Sequence, residues 1–228
     1  MERALLGIVA VGLAVGFVVL ARLAWQAGQA RAQQRAAFFD DCATLLTEPR
    51  SGTGSAGFPR LGGRWRGRTV DLQAVSDTLT FRKLPALWVL LTLPDPLPVR
   101  ATLNLMIRPT GIEPFSRFHL LPDQISPPPG FPVDCAIRTD DPDGLLPDIV
   151  LRPHLTLFDD ELVKELVISP NGLRISFLAE EANRGRYLIF RDAEVGQVPL
   201  AADRIAPLLG RLTALRADIV AATSRDTA

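Results

Sequence analysis

Ala86–Leu93 reads ALWVLLTL, eight residues in which Thr92 is the only aliphatic hydroxyl and no side chain is charged. A strand with one solvated face alternates apolar and polar side chains, so a nearly unbroken apolar run suits a central strand or one covered on both faces. Pro94, Pro96 and Pro98 end the run, because proline has no N–H to give to a ladder. Beyond them Val99–Ile107 resumes, with Ala101, Leu103, Leu105 and Ile107 on one face against Thr102, Asn104 and Met106. On the N-terminal side, Trp65–Ala74 and Thr78–Leu84 carry shorter alternations. Together they predict a mostly antiparallel meander joined by short turns. The proline-dense stretch Leu121–Pro132 reads as a loop, and Val133, Cys135 and Ile137 as one face of a further short strand.

The second half mixes element types. Asp141, Pro142 and Asp143 can start a short helical turn, and Pro153 can open a helix reaching about Leu166, with Asp159, Asp160 and Glu161 as its solvated face. Pro170-Asn171-Gly172 between two apolar segments signals a hairpin, and Tyr187–Phe190 a possible edge strand. From Leu200 to Ala222, Ile205, Leu208, Leu209, Leu212, Leu215 and Ile219 recur at helical spacing, so this helix can cover a sheet face, with Pro207 in its first turn or kinking it. The fold class expected is α+β: an N-terminal transmembrane helix, then a mostly antiparallel sheet domain with covering helices.

The N-terminal helix is read from Ala4–Ala21 (ALLGIVAVGLAVGFVVLA), an uncharged run between Arg3 and Arg22. Eighteen residues at about 1.5 Å rise cover roughly 27 Å, close to a bilayer core of about 30 Å. A cleaved signal peptide has a shorter apolar core, about 7 to 15 residues, and a small-x-small cleavage site where this chain has Leu23. A retained single-pass anchor is therefore the leading reading, ahead of a cleaved signal and of a buried soluble helix. Arg22, Arg31 and Arg35 on the exit side outnumber Arg3, which by the positive-inside rule puts the C-terminal part in the cytoplasm. Gly12 and Gly16 form a small-xxx-small pair that suits helix–helix contact with a second copy or another membrane protein, although small residues abound in this chain. The expected division is residues 1–47 as anchor and helical stalk, 48–59 as flexible linker, 60–222 as the α+β domain and 223–228 as a disordered tail.

Net charge is zero, with 25 basic and 25 acidic residues, but residues 50–118 are net basic and 119–200 net acidic. The two halves can face each other, or the basic part can face anionic lipid. Arg60, Arg64, Arg66 and Arg68 concentrate the positive charge. If they lie on one strand, Arg64, Arg66 and Arg68 share a face that could serve intradomain pairing, lipid headgroups or a protein partner. Nucleic acid is not expected as a partner, because stacking aromatics are sparse. Cys42 and Cys135 stay reduced in a cytoplasmic domain, and only an exported domain would make a bridge between them plausible. His119 and His154 show no metal-ligand spacing, no nucleophile elbow is present, and the acids at 140, 141, 143 and 148 fail the calcium-loop pattern, so they read as turn caps. No catalytic residue, cofactor site or metal site is therefore expected.

Arg60–Val70 (RLGGRWRGRTV), an apolar strand ending in Leu93-Pro94-Asp95-Pro96, Phe131–Ile137 and the Asp140–Pro142 turn follow an order that resembles uncharacterised bacterial membrane-anchored proteins. In those a G-x-Y-x-G-R-x-V strand opens the domain, an aspartate-bearing strand lies midway, and a hairpin and closing helix follow. Residues 60–220 follow that order, with Trp65 in place of tyrosine and Pro132 before Val133 as departures. The resemblance implies this architecture and the bacterial plasma membrane, and no biochemical role. Two functions remain as expectations: a non-catalytic accessory or interaction subunit held at the membrane, or a membrane-tethered enzyme or small-ligand sensor. The second expects a pocket in which His119 or His154 meets an aspartate.

Overall fold

The computed structural model describes residues 2–54, 57–77, 84–185, 187 and 195–226. Helix α1 (Glu2–Ala36) runs into a 3₁₀ turn at Ala37–Phe39 and a short α2 (Asp40–Ala43). Nine strands follow among the described residues: β1 (Thr47–Thr53), β2 (Pro59–Trp65), β3 (Arg68–Asp77), β4 (Ala86–Leu93), β5 (Leu103–Ile107), β6 (Asp123–Ile125), β7 (Cys135–Thr139), β8 (Val163–Ser169) and β9 (Gly172–Glu181). Between β7 and β8 lie α3 (Asp148–Leu151) and a 3₁₀ segment, Arg152–Asp159, and the chain closes with α4 (Ala202–Asp226). The protein is α+β, and its single sheet is antiparallel throughout, in the order β1-β2-β3-β4-β9-β8-β5-β7-β6.

Register explains why this sheet has one core face. A single apolar rung crosses eight strands, Leu61, Leu72, Leu91, Ile175, Leu166, Leu105, Ile137 and Ile125, each opposite the next. Because side chains alternate with period two, the rung fixes which face each strand buries. Helix α4 covers that face with Ile205, Leu209, Leu212, Leu215 and Ile219, all 2% exposed or less. Pro207 sits inside α4, in its second turn rather than its first, and removes the bond that an N–H there would give to the Asp203 carbonyl.

The opposite face is only half covered. Residues 108–121 fold over it, setting Phe115 and Phe118 on Leu90 and Met106 in a second, smaller core. The Trp88 and Phe115 rings stack with centroids 4.3 Å apart. The double covering of β4 is what its unbroken apolar sequence required.

Helix α1 carries a stretch long and apolar enough to cross a membrane, and none of that stretch is buried. At its end Phe38 and Phe39 are buried in the main core. The Leu200 amide donates to the Phe38 carbonyl at 2.8 Å, the Cys42 thiol donates to the Leu200 carbonyl at 3.1 Å, and Arg35 lies over the Phe58 ring at 5.7 Å.

Several elements differ from expectation. Thr47–Thr53, expected as the end of the stalk at Thr47 and flexible linker from 48 onward, is edge strand β1, held by β2 through a bulge near Glu48 and Pro49. Asp123–Ile125, read as loop, adds an edge strand to β7. The helix expected from Pro153 to Leu166 is a 3₁₀ segment that stops at Asp159, because β8 must begin at Val163 to pair with β9. Helix α4 continues to Asp226, past the expected start of the tail. The hairpin at Pro170 is present, but Ser169 pairs with Gly172, so Pro170 and Asn171 form the turn. The expected strands at Thr78–Leu84 and Tyr187–Phe190 fall mostly outside the described residues.

Candidate functional site

The basic cluster does not assemble as one face. Trp65 pairs with Arg68 across a two-residue turn in which Arg66 (φ 47°) and Gly67 (φ 81°) are both left-handed, the geometry of a type I′ hairpin. Arg60 and Arg64 therefore project from β2 on the half-open face, while Arg68 falls on the helix-covered face of β3. There its guanidinium meets Asp95 at 3.0 Å, and Arg216 of α4 approaches the same carboxylate at 3.7 Å. Arg60 pairs with Asp71 at 2.6 Å, which raises its pKa through the hydrogen bond and the charge of that carboxylate. Arg64 donates to the Gly67 carbonyl at 2.7 Å, and Arg66 lies 5.1 Å from the Trp65 ring. A hollow of about 330 Å³ lies beside Arg50, Arg60 and Arg64, but Glu48 and Asp71 line it too and offset its charge. Gly12 and Gly16 have no atom within 4 Å of where a side chain would start, so that side of α1 is open to close approach.

A different place gathers chemistry from distant segments. On the half-open face, one step from the apolar rung, runs a polar rung: Asp71, Thr92, Arg174, Val167, Asn104 and Arg138, each opposite the next. Residues 108–121 cover one side of it, leaving a groove of about 330 Å³ toward the Pro170 turn, with Arg117 and Leu121 on its rim.

Below this groove Glu165 is 1% exposed. Its Oε1 accepts from Asn104 Nδ2 at 2.7 Å and from the Ser116 hydroxyl, and its Oε2 accepts from the Ser176 hydroxyl at 2.6 Å. A buried carboxylate needs such donors, since leaving it without them is costly. Ser116 in turn accepts from the Phe118 amide at 3.0 Å, so the network pins the covering loop to the sheet. Asn104 spends its amide on Glu165, and its buried Oδ1 has no donor. Arg174 makes one side-chain hydrogen bond, from Nε to Thr92 Oγ1 at 3.3 Å, and neither Arg174 nor Arg117 has an ion-pair partner among the described residues. The groove thus offers the guanidiniums of Arg117 and Arg174, the latter engaged at Nε alone among the described residues, and the hydroxyls of Thr92 and Thr102, above the buried orphan acceptor of Asn104. None of these residues was singled out from sequence. The signal available was the charged Glu165 inside the apolar-rich run Leu162–Ile168.

The histidines lie elsewhere. His119 Nε2 contacts the Gly111 carbonyl, tying the two ends of the covering loop. His154 does meet an aspartate, with Nε2 2.9 Å from Asp218 Oδ2, but it makes no other hydrogen bond among the described residues. This pair joins the 3₁₀ segment to α4. Asp141 accepts from the Asp143 amide at 3.1 Å, the turn-capping role expected of that acidic group. No group of three metal-ligating side chains occurs among the described residues. Cys42 and Cys135 are both free thiols. Burial, and after it the charge of Asp41, pushes the Cys42 thiol up to about 12.

No family model, curated protein or solved structure matches the chain, so the resemblance drawn over residues 60–220 rests on those residues alone.

Proposed function

We propose that this chain is a non-catalytic accessory subunit, anchored in the bacterial plasma membrane by α1 and carrying its α+β domain on the cytoplasmic side. The supporting observation is the junction: an apolar helix with none of its membrane-length stretch buried is fixed to the sheet domain by Phe38 and Phe39 in the core. Leu13, Phe17, Val18 and Leu20 are all more than 60% exposed, an arrangement costly in water and favourable in lipid or against another helix. A rigid junction transmits position, so whatever α1 binds in the bilayer sets where the domain stands. The partner we propose is a second copy or another membrane protein packed at Gly12 and Gly16. For the arginines at Arg64 and Arg66, at the hairpin end of β2, a protein partner fits better than lipid, while Arg60 is engaged by Asp71. The Arg66 turn is at the far end of β2 from Phe58, which adjoins Arg35 of α1, roughly 20 Å along the strand.

The test uses the full chain in native membranes. It is expected to resist alkaline carbonate extraction and, after mild detergent, to bring down a second component that Gly12→Leu with Gly16→Leu releases. Repeated recovery of the monomer alone, or extraction by carbonate, would overturn the reading. A reporter fused after Ala228 is expected to be active in the cytoplasm only. A second reading, a membrane-tethered sensor of a small ligand, is favoured by the groove at Arg174.

A further inference from the structure

The groove points to one class of occupant. Arg174 projects from the middle of the sheet, between Thr92 of β4 and Val167 of β8, and Arg117 reaches the same groove from the covering loop. A carboxylate opposite or diagonal to it on a neighbouring strand would stabilise an arginine on the face of a sheet. Here the nearest carboxylate along the rung, Asp71, lies two strands away, about 10 Å, and is engaged by Arg60. Glu165 is a diagonal neighbour, but its oxygens already accept three hydrogen bonds and it makes no ion pair. The groove is therefore net cationic, with guanidinium forks of the shape that binds carboxylate and phosphate oxygens bidentately. Its volume suits a small molecule.

We propose that this groove binds a small, water-soluble oxyanion, a carboxylate or phosphate, through Arg117 and Arg174. A lipid headgroup is disfavoured by position, an argument that rests on α1 being the membrane span. The groove lies at the Gly172 end of β9. The α1 junction lies at the other end, where the Gly196 amide donates to Glu180 at 2.7 Å and Gly196 packs near Arg35 and Phe58. Six residues of strand, from Arg174 to Glu180, separate the two, roughly 20 Å. Exposed along its described side chains up to Ala27, α1 does not fold back over the sheet.

The test is direct binding of inorganic phosphate and of citrate to the full chain in a neutral detergent, by calorimetry and thermal shift, with chloride at matched ionic strength as control. At least one anion is expected to bind saturably with a millimolar or tighter Kd, and Arg174→Gln and Arg117→Gln are each expected to weaken it at least tenfold. Arg60→Gln, outside the groove, is expected to leave it within twofold. Arg117 is exposed, so that variant retains the fold even if Arg174→Gln does not. No saturable binding of either anion, or equal binding by the Arg117→Gln variant, would overturn the proposal. So would binding seen only in nanodiscs containing anionic lipid, which would assign the groove to a headgroup. Because soluble anions are measured in detergent, failure here leaves the membrane-partner reading to be judged by its own pull-down.

Discussion

Glu165 is the residue through which fold and groove depend on each other. Its carboxylate holds Asn104 below the groove and Ser116 in the covering loop; Glu165 and Asn104 are buried and Ser116 is partly so. Replacing it by alanine strands three donors, and the expected loss is about 2–4 kcal/mol, read as a lower thermal midpoint of the full chain in detergent. Glu165→Gln keeps the volume and one acceptor while the serine hydroxyls can rotate, so about 1 kcal/mol is expected. Gly172 is constrained by space as well as by backbone: at φ 132° its added Cβ would stand 2.1 Å from the Leu93 carbonyl oxygen. Gly172→Ala is expected to cost about 2–4 kcal/mol by the same measurement. The Asn-Gly pair was visible in sequence, but this contact was not, since Leu93 belongs to another strand. Cys42, with its thiol pushed up to about 12 by burial, carries thiolate on the order of one part in ten thousand at pH 8. It is expected to resist a disulfide reagent in the native chain and to react on unfolding. Cys135 is only partly buried, and its faster native reaction is the internal comparison.

Among the elements, the junction of α1 and the covering helix α4 carry the consequences. Phe38→Ala is expected to cost about 3–5 kcal/mol and to open residues 36–47 to limited proteolysis, because it hollows the core where α1 joins it. Helix α4 is tied to the sheet by Arg204, which meets Asp160 at 2.6 Å just before β8. Burial pushes the Asp160 carboxyl up, but hydrogen bonds from Arg204 and the Leu162 amide and the charges of Arg204 and Arg211 outweigh it and hold it below its ordinary 3.8. A lowered carboxyl stabilises the folded chain above its unfolded value, and the contribution disappears as pH falls through the lower folded value. Asp160→Asn is accordingly expected to melt earlier than the parent at pH 7, with the gap closing below about pH 3.8 in a thermal series. Strand β4, the Pro170 hairpin and α4 were legible in sequence because periodicity and turn chemistry are local. The edge strands β1 and β6 were not. Thr47–Thr53 is exposed throughout and has no apolar alternation, so only pairing with β2 makes it a strand. The same holds for the stop at Asp159, which the register of β8 against β9 imposes.

At the scale of the molecule, the chain order and the spatial order diverge at one place. The β8–β9 hairpin, late in sequence, lies between β4 and β5, and it is this placement that sets Glu165 and Arg174 among Thr92, Thr102 and Asn104. Among the described residues the two parts of the sheet, β1 to β4 and β5 to β7, are thus joined only through this hairpin. Arg174→Ala with Val167→Ala, at facing positions on the groove side of that hairpin, is expected to leave the α4-covered core intact while loosening the covering loop, seen as faster amide exchange over residues 108–121. The sequence by itself determined that an apolar helix of membrane length precedes a mostly antiparallel α+β domain, and where its central strand and covering helix lie, because each is written in the spacing of neighbouring residues. Only the tertiary structure decided the strand order, the split of the four arginines between two faces and a turn, and the groove. These depend on register between segments up to about a hundred residues apart, which no local pattern records.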